Sequence, residues 1–201
     1  MLRRIFFGTG LLSLALLGAS GAATAMDAEG TAMAPVGSVS ISTTDYRIPV
    51  VQLVRENGQR VSLAQELDDG RPVVMNFIFT TCETTCPLSS QTFSAFQRKL
   101  GAERSTVHMV SISIDPEQDT PARLRAYAKK FGAGPQWQHY TGTLEASVRA
   151  QQAFGAYRGD KMSHTPLTLI RAAPGKPWTR IEGFVTPDQL LHHYHDLVAT
   201  R

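Results

Sequence analysis

Two runs, Val73–Phe79 (VVMNFIF) and Val107–Ile114 (VHMVSISI), constrain this chain more than anything else in it. Both are apolar at nearly every position rather than at alternate ones, so each reads as a strand covered on both faces. Between them a helix is expected from Pro87 to about Leu100, since proline suits a first helical turn. Strand, helix and strand in that order need a crossover, and a crossover sets the two strands parallel. The composition permits such a core: 42% of the 201 residues are hydrophobic and 18% charged, unlike a disordered, collagenous or coiled-coil chain.

The remaining elements follow from local signals. Arg47–Val54 and Gln59–Leu63 flank Asn57-Gly58, a hairpin pattern, and Ala64–Leu67 makes a short turn. Asp119-Thr120-Pro121 caps a helix running to about Phe131, a short extended piece follows, and another helix covers about Leu144–Phe154. Gly155–Thr165 is loop, Leu167–Arg171 pairs with Trp178–Phe184 across Pro174-Gly175, and Thr186-Pro187-Asp188-Gln189 opens a last helix with a capping-box pattern. This order is α/β, a mixed central sheet flanked by helices. It is the order of a thioredoxin-like fold with an additional N-terminal β-hairpin.

Ahead of this domain, assigned to residues 45–201, the character changes. Arg3 and Arg4 precede an apolar stretch and then small residues ending in Ala23-Thr24-Ala25, so residues 1–25 read as an export signal peptide. Kept uncleaved, residues 5–25 would instead be a membrane anchor, the one expected membrane contact. Residues 26–44 are small and polar and read as a flexible linker. The expected location is outside the cytoplasm, the periplasm in a bacterium, either soluble or tethered. Removing residues 1–25 takes Arg3 and Arg4 from 20 basic against 17 acidic residues, leaving 18 against 17. With no basic run, no nucleic-acid partner is expected.

The only two cysteines, Cys82 and Cys86, fall between the end of a buried strand and the start of a helix. Sites in open α/β sheets form just beyond the carboxyl ends of the strands. A helix N-terminus offers free N–H donors and partial positive charge, which favour thiolate over thiol. Thiolate is both the nucleophile of disulfide exchange and a soft metal ligand. Helical spacing would separate the two by about 6 Å, within disulfide reach. A purely structural bridge would stabilise little, because the loop it closes is so short.

Two thiolates leave a metal site incomplete, and six histidines compete for the third place. His164, in Met162-Ser163-His164-Thr165-Pro166, lies in the loop that faces the redox cysteines in a thioredoxin-like sheet. Two thiolates and a neutral imidazole form a soft three-coordinate set suited to Cu(I) and able to accept Cu(II), whereas zinc prefers a fourth ligand.

These features together resemble the Sco/SenC family of copper-binding, thioredoxin-fold proteins tied to cytochrome oxidase assembly. The resemblance spans about Val51–Val198. It rests on Asn76–Cys82, Cys86-Pro87, Val110–Pro116 with Asp119-Thr120, Thr141-Gly142-Thr143 and His164-Thr165. It implies one copper held at Cys82, Cys86 and His164. It also implies delivery of that copper to the dinuclear centre of an oxidase subunit or another copper enzyme, or reduction of that centre's cysteines by Cys82 and Cys86 as a redox pair. An upstream copper donor or thiol reductant would complete the partners. Two positions depart from the common pattern: Glu83 replaces a proline after the first cysteine, and Ser163 replaces an aspartate before the histidine.

Other signals are weaker. Asp115 could lie near the site or cap the turn at Pro116, and Met162 could be a soft auxiliary ligand. His192 and His195 share a helix face with His193 between them, and Met26 and Met33 lack ligand spacing. No phosphate loop, G-x-S-x-G or H-E-x-x-H motif occurs, and the peroxiredoxin cysteine pattern is absent.

Overall fold

In the computed structural model, which describes residues 39–200, strands β4 (Val73–Ile78) and β5 (His108–Ser113) lie parallel with every residue buried. Their register runs from Val73 opposite His108 to Ile78 opposite Ser113. Two polar side chains in these runs bond each other across the sheet. Ser111 donates to Asn76 Oδ1 at 2.7 Å and accepts from Trp137 Nε1 at 2.9 Å. That chain ties β4 and β5 to β6 (Trp137–Gly142), which lies parallel beside β5. The short extended piece of the sequence reading is thus a full strand. Its mix of polar and aromatic residues, WQHYTG, hides the apolar run that a buried strand usually shows.

On the other side of β4, β7 (Leu167–Arg171) pairs antiparallel, followed by β8 (Trp178–Glu182). The expected hairpin forms as β2 (Gln52–Arg55) and β3 (Arg60–Ser62), with Gly58 at φ 91° in its turn. It starts later than Arg47: Pro49 cannot donate to a ladder, and its carbonyl instead accepts from Val51 N at 3.0 Å. β2 then joins β6 antiparallel, with Leu53 opposite Gly142. A Cβ at Gly142 would sit 3.1 Å from Leu53 Cδ2 and 3.4 Å from the Gln52 carbonyl, so a side chain there would press on the Leu53 side chain where β2 and β6 meet.

One boundary needs correction. The linker does not extend to residue 44, because Ser40–Thr44 forms strand β1, paired antiparallel with β8 from Ser40 opposite Glu182 to Thr44 opposite Trp178. Backbone pairing alone builds this edge strand. Its side chains are almost all exposed, so no apolar alternation marks it. The eight-stranded order is β1-β8-β7-β4-β5-β6-β2-β3. The signal-peptide reading of residues 1–25 and the rest of the linker, 26–38, lie outside the described residues.

Helices cover both faces. Phe93 of α2 (Thr85–Lys99) packs against Trp137 on one face, and Phe96 meets Tyr194 of α5 (Pro187–Ala199). α3 (Pro121–Lys130) lies on the same face, where Tyr127 stands beside His139. Across the sheet, Phe77 and Trp178 flank Phe154 at the end of α4 (Leu144–Ala153). Thr120, Thr143 and Thr186 accept from the N3 backbone N–H of their helices, and Thr186 with Gln189 completes the expected capping box.

At the amino end of β5, the one-turn helix α1 (Leu63–Leu67) presents the buried Glu66. Arg55 grips Glu66 from Nε at 2.9 Å and Nη2 at 2.7 Å, Tyr140 donates to it at 2.6 Å, and His108 donates from Nδ1 to its carbonyl at 3.0 Å. These bonds fasten the hairpin and α1 to the sheet. Replacing Tyr140, which is wholly buried, with Phe removes one donor to a charged acceptor and should cost about 1.5–3 kcal/mol. Urea unfolding checks it, the midpoint falling without change in slope.

Candidate metal and thiol site

The segment leaving β4 carries the cysteines, and a buried carboxylate shapes it. Asp119, with no exposed surface, accepts from Thr80 N at 3.1 and 3.2 Å, Thr80 Oγ1 at 2.5 Å and Ser113 Oγ at 2.6 Å. The sequence pattern assigns the cap of α3 to Asp119-Thr120-Pro121 as a group. The cap is Thr120 alone, and Asp119 turns inward to join the ends of β4 and β5. Short polar residues before a proline signal a cap whichever of them does the capping, so the pattern could not separate the two.

Two residues past Thr80, Cys82 is partly buried and donates its backbone N–H to the Phe79 carbonyl at 3.2 Å. Cys86 sits in the first turn of α2 with 1% exposure and donates its N–H to Cys82 Sγ at 3.3 Å. The helix begins at Thr85, two residues before the expected start, which leaves Cys82 just outside it with its sulfur at the helix mouth. Burial pushes the Cys82 thiol up, but the backbone N–H groups of Cys86, Thr84 and Thr85 outweigh burial and bring it below its ordinary value. Burial dominates at Cys86 and holds that thiol well above its ordinary value. Both cysteines are free.

His164 follows a 3-10 turn, Lys161–Ser163, ahead of β7. Its Nε2 lies 3.1 Å from the Phe77 carbonyl near the end of β4. A carbonyl only accepts, so Nε2 carries the proton and a neutral ring keeps its lone pair on Nδ1. Burial lowers the His164 pKa below its ordinary value, which favours that neutral ring. The structure therefore brings the cysteine segment and His164 to the same end of β4, with the ring turned to the main chain. Among the described residues, no three His, Cys, Asp or Glu side chains converge as a ready-made metal shell.

The weaker candidates have other surroundings. Met162 is 74% exposed, and Asp115 pairs with Lys161 at 2.6 Å. His192 pairs with Asp196 at 3.3 Å and His195 with Glu103 at 3.1 Å, an exposed helix face with separate partners. Met26 and Met33 lie outside the described residues. A cavity of about 320 Å³ opens beside the site, lined in part by Asp115, Lys161, Tyr157, Leu144 and His164. Among the described residues no helix is long and apolar enough to cross a membrane.

A family model, SCO1/SenC, matches residues 45–199. The chain is 32% identical over 105 residues to the SCO1 protein homolog of Bacillus subtilis (strain 168), covering 52% of this chain and 53% of that one. It thus spans about half the length of that relative. Two solved structures are also similar at 25% identity. One is BsSco, described with a disulfide switch and as a member of the Sco family of cytochrome c oxidase assembly proteins (TM-score 0.66, covering 80% of this chain and 98% of that one). The other is Bradyrhizobium japonicum ScoI with copper bound (TM-score 0.62, covering 73% and 96%).

The opposed environments of the thiols predict unequal reactivity. As pH rises, Cys82 should be alkylated by iodoacetamide first, with an apparent pKa below the ordinary thiol value, and Cys86 far later. Peptide mass spectrometry of timed samples checks the order, and equal rates would contradict it.

Proposed function

The chain belongs to the SCO1/SenC family, and from that premise we propose that it is an exported copper metallochaperone. Cys82, Cys86 and His164 hold one copper and pass it to a copper enzyme such as the dinuclear centre of cytochrome oxidase. The observation that carries this reading is the Cys82 sulfur, faced by the N–H of Cys86 at 3.3 Å in a setting that favours thiolate. The copper-bound structure of Bradyrhizobium japonicum ScoI supports copper as the cargo.

Each residue then has a defined part. Cys82 offers a thiolate at the surface and makes the first contact with an arriving ion. Cys86 binds only after losing its proton, so loading releases a proton and tightens as pH rises. His164, already neutral, adds a nitrogen donor once its segment moves toward the sulfurs. Transfer to the client proceeds by exchange of these soft ligands, one at a time, with Cys86 taking back its proton and no change in the protein's oxidation state. Once exported, the domain works in an oxidising compartment, where an upstream reductant keeps the pair reduced.

A second reading, thiol–disulfide reductase, is favoured by the same asymmetry. The Cys82 thiolate attacks a client disulfide to form a mixed disulfide and frees one client thiolate. Cys86, once deprotonated, attacks the Cys82 sulfur and frees the other. The client gains two electrons and two protons, and Cys82 and Cys86 end as a disulfide.

Anaerobic Cu(I) competition titration separates the readings. The reduced parent should bind one Cu(I), with affinity rising about tenfold per pH unit for each proton released. His164→Ala should lose at least about tenfold in affinity while retaining insulin-reducing activity. Unchanged Cu(I) affinity in His164→Ala sinks the three-ligand assignment.

A further inference from the structure

Resting on the three-ligand reading, we propose that Lys161 is a positioning residue: its ion pair with Asp115 docks the segment that carries His164 beside the cysteine loop. The loop is fixed at both ends. Arg180 donates to the Phe154 carbonyl at 2.8 Å and the Gly155 carbonyl at 3.2 Å, and Gly183 N donates to the Pro166 carbonyl at 3.0 Å. Between these anchors, Lys161 Nζ lies 2.6 Å from Asp115 Oδ2 and 5.8 Å from the centroid of the Phe79 ring. Asp115 lies two residues past the end of β5, and Phe79 precedes Cys82 by three residues. One ammonium thus spans the two segments that the site must bring together.

The contact is more than a surface ion pair. The Asp115 side chain is only 7% exposed, so Lys161 meets a carboxylate with little water of its own. Lys161 is also coupled to His164 through the backbone. The His164 N–H donates to the Lys161 carbonyl at 3.1 Å, and the Asp160 side chain accepts from Met162 N at 2.9 Å, closing the 3-10 turn. Docking Lys161 therefore docks the turn that ends at His164.

The effect is on loop entropy. Ala156 N donates to the Gln151 carbonyl at 2.7 Å, so without the Lys161 anchor the segment left between fixed points is 157–165, nine residues; with it the segment beyond Lys161 is 162–165, four residues. Loop-closure scaling as the three-halves power of length makes the imidazole about threefold more concentrated near the sulfurs. Lys161 touches neither cysteine sulfur nor copper in this scheme and acts only through His164.

The test is a double-mutant cycle in the full chain, with Cu(I) affinity measured by anaerobic competition. Lys161→Met should weaken binding about threefold, Lys161→Arg should restore most of it, and the effect should vanish in a His164→Ala background. The Cys82–Cys86 reduction potential should stay at the parent value in Lys161→Met, which a general disturbance of the cysteine loop would move. A Lys161→Met loss that persists undiminished without His164, or a shifted potential, overturns the proposal. A silent Lys161→Met beside a weakened His164→Ala overturns it alone and leaves the ligand set standing. A silent His164→Ala overturns the ligand set and this inference together.

Discussion

A carboxylate stripped of water must be satisfied by donors that cannot leave, and the carboxyl end of this sheet is arranged around that demand. Asp119 takes its bonds from the backbone and hydroxyl of Thr80 and from the hydroxyl of Ser113. Thr80 begins the cysteine segment, Ser113 ends β5, and Asp119 is chain neighbour to the cap of α3. One buried charge therefore fixes where two strands stop and where a helix starts. Cys82 sits two residues from that junction, so its position relative to α2 is inherited from it. Without Asp119, the Thr80 N–H and the Ser113 hydroxyl would be left wanting in a place water does not easily reach.

How far such an arrangement is legible beforehand depends on whether a residue's partner is near in sequence. β4 and β5 announce themselves because burial on both faces leaves a run with almost no polar positions, and caps such as Thr186 with Gln189 are written within four residues. β1 escapes notice because an exposed edge strand needs only backbone pairing, and β6 because its buried face carries His139 and Thr141. Asn76 and Ser111 read as minor interruptions of apolar runs, yet they bond each other across 35 positions. At the site, the residue types and the loop that holds His164 are visible in the sequence. Its bond to the Phe77 carbonyl, 87 residues away, is not, nor is the inward turn of Asp119.

The two thiols illustrate how one helix end produces two chemistries from one residue type. Outside the first turn, Cys82 collects N–H groups that stabilise negative charge; inside it, Cys86 is sealed where charge is costly. The pair is thereby ordered, one sulfur ready and the other held back. A soft cation binding in steps and a disulfide exchanged in steps both need that order. The asymmetry alone thus cannot choose between them, and the imidazole is what distinguishes their chemistry.

The acceptor for His164 is a main-chain oxygen, and that has a consequence for how the site can vary. Every residue at position 77 supplies a carbonyl, so no side-chain replacement there deletes the bond; it can only displace the strand that presents it. Heritable change in the ease with which the ring departs must therefore come from residues around it. The resting position of the imidazole is robust to point mutation at its own partner, while its mobility remains open to adjustment through the surrounding loop.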